Sequence, residues 1–186
     1  MRADAALGFN PITFADAVSH YWLVVVFLHI AYAALPVMIG LAWVWEQDLT
    51  MRRAILLGGC LCFAFYSLFP AVGPGNFDWA RQIRHATAPL NCMPSMHLTW
   101  SLLIALNARS VRLRIWLWVY VSVMAIATLA LREHYLIDLI AAVPYTLAVQ
   151  WMACRSARPL RVVKAESSRA IAGGLDGANL NHKTRP

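Results

Sequence analysis

Charged residues are scarce in this sequence. Asp, Glu, Lys and Arg make up 13% of its 186 residues, whereas a soluble domain has roughly 25%. Hydrophobic residues account for 60%, and the mean hydropathy is +0.56. This composition excludes an ordinary water-soluble globule, and it excludes an intrinsically disordered chain because such chains are rich in charge and poor in apolar residues. An integral membrane protein is the class that remains.

Several kinds of functional site are also missing. The sequence has no Gly-rich nucleotide-binding loop and no carboxylate-rich cage for a divalent cation. Its cysteines, Cys60, Cys62, Cys92 and Cys154, follow neither a metal-binding spacing nor a disulfide pattern. Residues 1–19 lack the positive start and apolar core of a cleavable signal peptide. We therefore predict a protein with no cofactor and no metal.

Five apolar segments predict an all-α, polytopic transmembrane bundle of about five spans, because a helix needs about 20 residues to cross a bilayer. The segments are residues 20–45, 54–72, 93–108, 111–131 and 134–153. The third is shorter and more polar, which is typical of a helix that lines a site. We divide the chain into an interfacial N-terminal segment (1–19), a transmembrane domain (20–154) and a flexible basic cytosolic tail (155–186).

Most of the net charge of +7 falls on one side of such a bundle. With five spans, 12 of the 16 Lys and Arg residues share that side: Arg52, Arg53, Arg109, Arg112, Arg114, Arg155, Arg158, Arg161, Lys164, Arg169, Lys183 and Arg185. The positive-inside rule places it in the cytoplasm. We therefore expect the cytoplasmic membrane as the location and the bilayer, not a nucleic acid, as the partner of these charges. The oligomeric state stays open.

Two histidines are predicted to meet on the opposite, extracytoplasmic side. His97 begins the third segment and His134 begins the fifth, and one helix out and one helix back bring both to the same side. Asp138 follows His134 by one helical turn. Its carboxylate can accept a proton from one imidazole nitrogen, which leaves the other free as a nucleophile or base. Ionisable residues at this depth are costly and indicate function.

An anion site is predicted beside these histidines. Pro94 and Ser95 are typical of a helix start, where free amides and the Ser95 hydroxyl can bind an anion. Three arginines on this side would bind phosphate oxygens: Arg81, Arg84 and Arg132. The set indicates metal-independent phosphoryl transfer, in which His134 attacks phosphorus and His97 acts as the general acid.

Both histidine motifs resemble those of the type 2 phosphatidic acid phosphatase superfamily. The run NCMPSMH, residues 91–97, is similar to its PSxH signature, and LREHYLID, residues 131–138, is similar to its HxxxD signature. The motifs are also similar to the branch that includes inositol phosphorylceramide synthases, as are Tyr66-Ser67-Leu68-Phe69-Pro70 and Gly73-Pro74. The resemblance extends from about residue 60 to residue 150.

This resemblance implies a lipid phosphatase or phosphotransferase whose substrate is a membrane lipid with a phosphate head group. His134 would form a phosphohistidine, Asp138 would orient it, His97 would protonate the leaving group and Ser95 would help to hold the phosphate. The acceptor would be water in a phosphatase, or a lipid or sugar hydroxyl in a transferase. The resemblance also implies six helices, so five spans suggest that the first helix is missing.

The sequence departs from the superfamily at two signatures. The first signature, KxxxxxxRP, is absent, and only Arg81, Arg84 and His85 lie in the corresponding region. The third usually has Ser-Arg where Ala127-Thr128 stand here, and Arg132 is the candidate to supply the missing charge. A catalytically degenerate member is therefore one alternative. A small transporter or proton-relay protein that uses the His134–Asp138 pair is another.

Overall fold

The computed structural model describes residues 2–45, 48–68, 70–78, 83–84 and 92–156. The helices are α1 (Arg2–Ala6), α2 (Pro11–Ser19), α3 (Trp22–Ala33), α4 (Leu35–Trp45), α5 (Leu49–Leu68), α6 (Met96–Asn107), α7 (Val111–Ala130) and α8 (Leu136–Ser156). A 3-10 turn, Pro74–Asn76, leads into β1 (Phe77–Asp78), which pairs antiparallel with β2 (Ile83–Arg84). The predicted all-α membrane fold is confirmed.

Three helices, α5, α7 and α8, are long and apolar enough to cross a membrane. A fourth span results if α2 and α3, which meet at a bend of 116°, form one broken span. The five expected segments are all helical, but α6 has only 12 residues, and the segment 20–45 is divided at Ala34. Pro36 explains that division, because it has no N–H to donate to the preceding turn. The described residues therefore hold three or four candidate spans where about five were expected.

Helix α6 lies at the centre of the bundle and packs against α4, α5 and α7. Eight of its 12 residues are buried, and Leu103 and Ala105 have no exposed surface. Two buried hydroxyls on α6, those of Thr99 and Ser101, donate to carbonyl oxygens one turn earlier in the chain. A helix buried on most of its faces is expected to be apolar nearly all round, with its few polar groups paired in this way.

The outer faces of the bundle are apolar. Phe63 on α5 is 74% exposed and Trp116 on α7 is 72% exposed, values that are unfavourable in water. In a bilayer these side chains contact lipid, and the helices satisfy their own backbone hydrogen bonds. The structure therefore supports an integral membrane protein.

One end of the bundle carries the described cations that were expected to face the cytoplasm. Arg52 lies 5.4 Å from the ring of Trp43 and donates to its carbonyl oxygen. Arg155 lies 3.8 Å from the ring of Trp151. This end includes the first turn of α5 and the last turn of α8. The predicted tail lies, from residue 157 onward, outside the described residues.

Two carboxylates occupy the N-terminus of α8. Asp4, which is fully buried, accepts hydrogen bonds from the amides of Leu136 (3.0 Å) and Ile137 (3.1 Å). Asp138 accepts one from the amide of Tyr135, the residue that precedes the helix, at 2.8 Å. The second contact is the carboxylate half of a capping box. Amides at a helix start have no partner within the helix, so these acidic groups fix where α8 begins.

The N-terminal segment is therefore part of the packed structure. Besides the contact of Asp4 with α8, α2 packs against α3 and α7, and Asp16 on α2 forms an ion pair with Arg132. These contacts tie the start of the chain to the first turn of α8 and to the loop that precedes it. The place of residues 1–19 along the membrane interface stays a prediction.

We predict that Asp4→Ala lowers the free energy of unfolding in detergent by about 1–3 kcal/mol, because two partly buried amides lose their acceptor. Asp4→Asn keeps one acceptor oxygen and is expected to cost less. The matched control is Asp16→Ala, which removes an exposed ion pair worth at most about 1 kcal/mol. Equal losses for Asp4→Ala and Asp16→Ala in denaturant unfolding would contradict the assignment of Asp4 as the cap of α8.

Candidate active site

The two predicted histidines face each other at the end of the bundle opposite Arg52 and Arg155. His97 lies in the first turn of α6, and His134 lies two residues before α8. Their ring centroids are 6.3 Å apart and the rings are inclined by 59°. Both rings line a cavity of about 370 Å³. Its other lining residues are Tyr32, Phe63, Tyr66, Gly73, Asn76, Cys92, Met96, Trp100 and Glu133.

His134 is buried, and its Nδ1 lies beside a thiol and a carboxylate. Nδ1 lies 3.4 Å from Sγ of Cys92 and 3.6 Å from Oδ2 of Asp138. The distance to Asp138 is that of an ion pair and is longer than a hydrogen bond. Catalytic contacts are often loose in the free enzyme and tighten when substrate binds. The structure therefore brings the Asp138 carboxylate next to one imidazole nitrogen of His134, as the sequence predicted.

Cys92 is the residue of this group that the sequence did not single out. Its thiol donates to Oδ2 of Asp138 at 2.8 Å and also to the carbonyl oxygen of Glu133 at 3.4 Å. Burial, and after it the adjacent Asp138 carboxylate, raise the pKa of the Cys92 thiol. The neutral thiol is thus the resting form. Sγ of Cys92, Nδ1 of His134 and a carboxylate oxygen of Asp138 all lie within 4.8 Å of one another, so these groups could also hold a metal ion.

The helix start predicted at Pro94-Ser95 is present, but α6 begins at Met96, so Ser95 is its N-cap residue and Pro94 precedes the cap. Its amide donates to the carbonyl oxygen of Asp138 at 3.3 Å, so this amide is not available to an anion. The hydroxyl differs, because it is fully buried and has no hydrogen-bond partner among the described residues. An unpartnered buried hydroxyl costs about 1–3 kcal/mol. Ser95 is not among the residues that line the cavity.

Tyr32 positions His97 and was not predicted from the sequence. The two rings are stacked with centroids 4.0 Å apart, and the Tyr32 hydroxyl shares a hydrogen bond of 3.2 Å with Nδ1 of His97. Stacking fixes the plane of the imidazole, and the hydrogen bond fixes its rotation about χ2. The Nε2 atom of His97 is then the nitrogen that stays free for a substrate. A tyrosine 65 positions earlier on another helix carries no local sequence signal.

The structure describes two of the three predicted arginines, Arg132 and Arg84. Arg132 has a positive φ of 60°, and its guanidinium is paired with Asp16; it is not among the residues that line the cavity. Arg84 lies in β2, where its backbone is opposite Phe77. Arg81 lies outside the described residues. A role for the three in phosphate binding stays a prediction.

The loop before α8 is held by close backbone contact with residues 73–75. The amide of Gly75 donates to the carbonyl oxygen of Arg132 at 2.7 Å. A Cβ atom at Gly73 would overlap the carbonyl oxygen of Glu133 and lie 3.2 Å from its carbonyl carbon. Only glycine permits this approach. The residue after Glu133 is His134, whose own amide donates to the carbonyl oxygen of Thr128 at 3.1 Å.

The sequence profile described as the PAP2 superfamily matches residues 1–152 of this chain. The fold is similar to that of LpxE from Aquifex aeolicus, with a TM-score of 0.55 and 16% sequence identity over 73% of this chain and 87% of that chain. No curated protein sequence matches the chain. The narrower likeness to inositol phosphorylceramide synthases has no support in these matches and stays a prediction.

We predict that Gly73→Ala destabilises the protein by about 1–3 kcal/mol, because the new methyl group must displace the backbone of Glu133. The matched control is Gly59→Ala in α5, where a Cβ would lie 3.7 Å from the Trp100 ring. That change is expected to be neutral or stabilising, since alanine is the better helix former. The free energies of unfolding of both variants in detergent test this, and a smaller loss for Gly73→Ala than for Gly59→Ala would refute it.

Proposed function

Because this chain belongs to the PAP2 superfamily, we propose that it removes or transfers the phosphate of a membrane lipid through a phosphohistidine formed at His134. Membership itself establishes a membrane phosphatase. The observation that carries the finer proposal is the pair of facing imidazoles, with ring centroids 6.3 Å apart across one cavity. The Asp138 carboxylate lies beside the ring of His134, whereas no described carboxylate is paired with His97. This difference suits His134 as the nucleophile and His97 as the acid.

In the first half-reaction, Nε2 of His134 attacks phosphorus and a nitrogen–phosphorus bond forms. The bond between phosphorus and the lipid oxygen breaks, and the leaving oxygen takes a proton from His97. Asp138, 3.6 Å from Nδ1 of His134, stabilises the positive charge that develops on the ring. Tyr32 acts as a positioning residue, since it holds Nδ1 of His97 and leaves Nε2 directed to the reacting atoms.

In the second half-reaction, His97 accepts a proton from the incoming hydroxyl and the nitrogen–phosphorus bond breaks. Water as the acceptor gives hydrolysis, and an alcohol gives transfer, as the likeness to inositol phosphorylceramide synthases suggests. No step requires a metal ion. A transporter or proton relay built on His134 and Asp138 would have no use for His97 or for the hydroxyl of Ser95, so these two residues favour the enzyme.

Phosphate binding is assigned to the Ser95 hydroxyl and, from the sequence, to Arg81, Arg84 and Arg132. The hydroxyl is fully buried and lacks a partner among the described residues, so a phosphate oxygen would complete it. Arg81 and Arg84 are assigned from the sequence alone. Arg132 would have to exchange its exposed contact with Asp16 for the phosphate. An exposed ion pair costs little to break.

We place this site on the extracytoplasmic face of the cytoplasmic membrane. Support comes from the distribution of charge: the described cations Arg52, Arg53, Arg109 and Arg155 gather at the end of the bundle remote from His97 and His134. The positive-inside rule assigns the cationic end to the cytoplasm. A lipid with its phosphate in the outer leaflet would then reach the cavity from the membrane.

We predict that the purified enzyme releases phosphate from lipid phosphates in detergent in the presence of EDTA. His134→Ala is expected to abolish turnover, and His97→Ala to lower kcat by about 10²–10⁴-fold, the contribution of a general acid. His29→Ala is the matched control, because His29 is exposed on α3 and bonds only to the carbonyl oxygen of Val25 among the described residues. Turnover that survives both His97→Ala and His134→Ala, or that EDTA abolishes, would overturn the proposed mechanism.

The orientation predicts which residues a membrane-impermeant maleimide reaches in intact cells. Asn76 lines the cavity, so a cysteine introduced as Asn76→Cys is expected to be labelled. The native Cys154 is exposed near the cationic end of α8 and is expected to be labelled only after the cells are lysed. Labelling of Cys154, but not of Asn76→Cys, in intact cells would place the site in the cytoplasm.

A further inference from the structure

We propose that Cys92, His134 and Asp138 form a binding site for a thiophilic divalent cation, with Zn²⁺ as the type case, and that its occupation blocks the enzyme. The inhibitory part rests on the proposed function of His134, whereas the binding part does not. Among the described residues, these are the three metal-ligating side chains whose donor atoms converge, and all three are buried.

The donor atoms have the spacing of a zinc site. The sides of the triangle are 2.8 Å from Sγ of Cys92 to Oδ2 of Asp138, 3.4 Å from Sγ to Nδ1 of His134, and 3.6 Å from Nδ1 to Oδ2. Such a triangle leaves a point about 2.0–2.3 Å from each donor, which is the range of zinc bonds to oxygen, nitrogen and sulfur. At tetrahedral angles these bond lengths require Sγ and Oδ2 to move apart by about 0.7 Å from their present hydrogen bond.

The chemistry of the donors also suits this ion. One thiolate and one carboxylate neutralise the two charges of Zn²⁺, so the occupied site carries no net charge in its buried surroundings. Binding releases the proton of the Cys92 thiol to solvent, while a ring proton on Nδ1 of His134 is exchanged for one on Nε2, so the imidazole stays neutral. A soft sulfur ligand favours Zn²⁺ or Cd²⁺ over Mg²⁺ and Ca²⁺, which prefer oxygen.

A neighbouring amide orients one of the ligands, and the cavity gives an ion access to the site. Oδ2 of Asp138 is oriented by the amide of Tyr135 at 2.8 Å, a contact that holds the carboxylate in place for the ion. Cys92 and His134 both line the cavity, so an ion can reach them from it. The fourth position of a tetrahedral ion with three protein ligands then belongs to a water molecule or a phosphate oxygen.

Occupation of the site would stop the reaction through the tautomer of His134. A metal bound through the lone pair of Nδ1 requires the ring proton to be on Nε2. Nε2 is the atom that must attack phosphorus, and a protonated nitrogen has no lone pair to offer. The same ion also removes Asp138 from its contact with the ring. The inference therefore predicts inhibition by Zn²⁺ and restoration of activity by a chelator.

The binding test uses the full chain in detergent, stripped with EDTA and then titrated with Cd²⁺ alone. Wild type is expected to bind one Cd²⁺ per chain, with the ultraviolet charge-transfer band of a cadmium–thiolate bond. Cys92→Ser is expected to lose the band, and Asp138→Asn to weaken binding by at least about 10-fold. The matched control is the double variant Cys60→Ser/Cys154→Ser, which removes the two exposed thiols and must keep the band.

The outcomes separate this inference from the proposed function. A band that persists in Cys92→Ser and is lost in the control variant overturns the inference, as does the absence of any band in wild type. Should Cys92→Ser fail to fold, X-ray absorption of the zinc-loaded wild type decides: one sulfur with nitrogen and oxygen ligands supports the site, and a shell without sulfur refutes it. Stoichiometric binding with unchanged lipid phosphate turnover overturns only the inhibition. Loss of the catalytic roles of His97 and His134 would leave the cadmium result standing.

Discussion

The N-terminus of α8 is the point on which both the fold and the site depend. The amides at a helix start have no partner within the helix, so other groups must satisfy them. Asp4 accepts from two of these amides, and Asp138 accepts from the amide of Tyr135. Asp138 also faces His134 and Cys92. The carboxylate that caps the helix is thus the carboxylate that orients the candidate nucleophile.

Local spacing was sufficient to identify the centre of the site. His134 and Asp138 are four residues apart, a spacing that predicted a shared helical face. His134 instead lies two residues before α8, and Asp138 in the first turn of that helix still places its carboxylate 3.6 Å from Nδ1 of His134. Ser95 and His97 follow a proline that marks a helix start. This pattern was sufficient to select Ser95 without knowledge of its buried, unpartnered hydroxyl. The all-α fold followed equally directly from long apolar segments. Scarcity of charge made these residues conspicuous, because few other polar groups lie at that end.

The supporting residues could not be predicted, because their contacts join distant parts of the chain. Tyr32 meets His97 across 65 positions, and Asp4 meets Leu136 across 132. Cys92 was grouped with the other cysteines because its spacing matched no motif. Arg132 was expected to bind phosphate, but its pairing with Asp16 depends on how α2 packs. For Asp4, the one available signal was its acidic side chain near the start of a chain that has few charged residues.

The most direct test of covalent catalysis by His134 is to trap the phosphorylated intermediate. The enzyme is mixed with a lipid carrying a radiolabelled phosphate, quenched in alkaline detergent within one turnover, and mapped by mass spectrometry. We expect a phosphate on His134 that is stable in base and released by acid, and that is absent from His134→Ala. Full turnover without any label on His134, or a label on another residue, would contradict it.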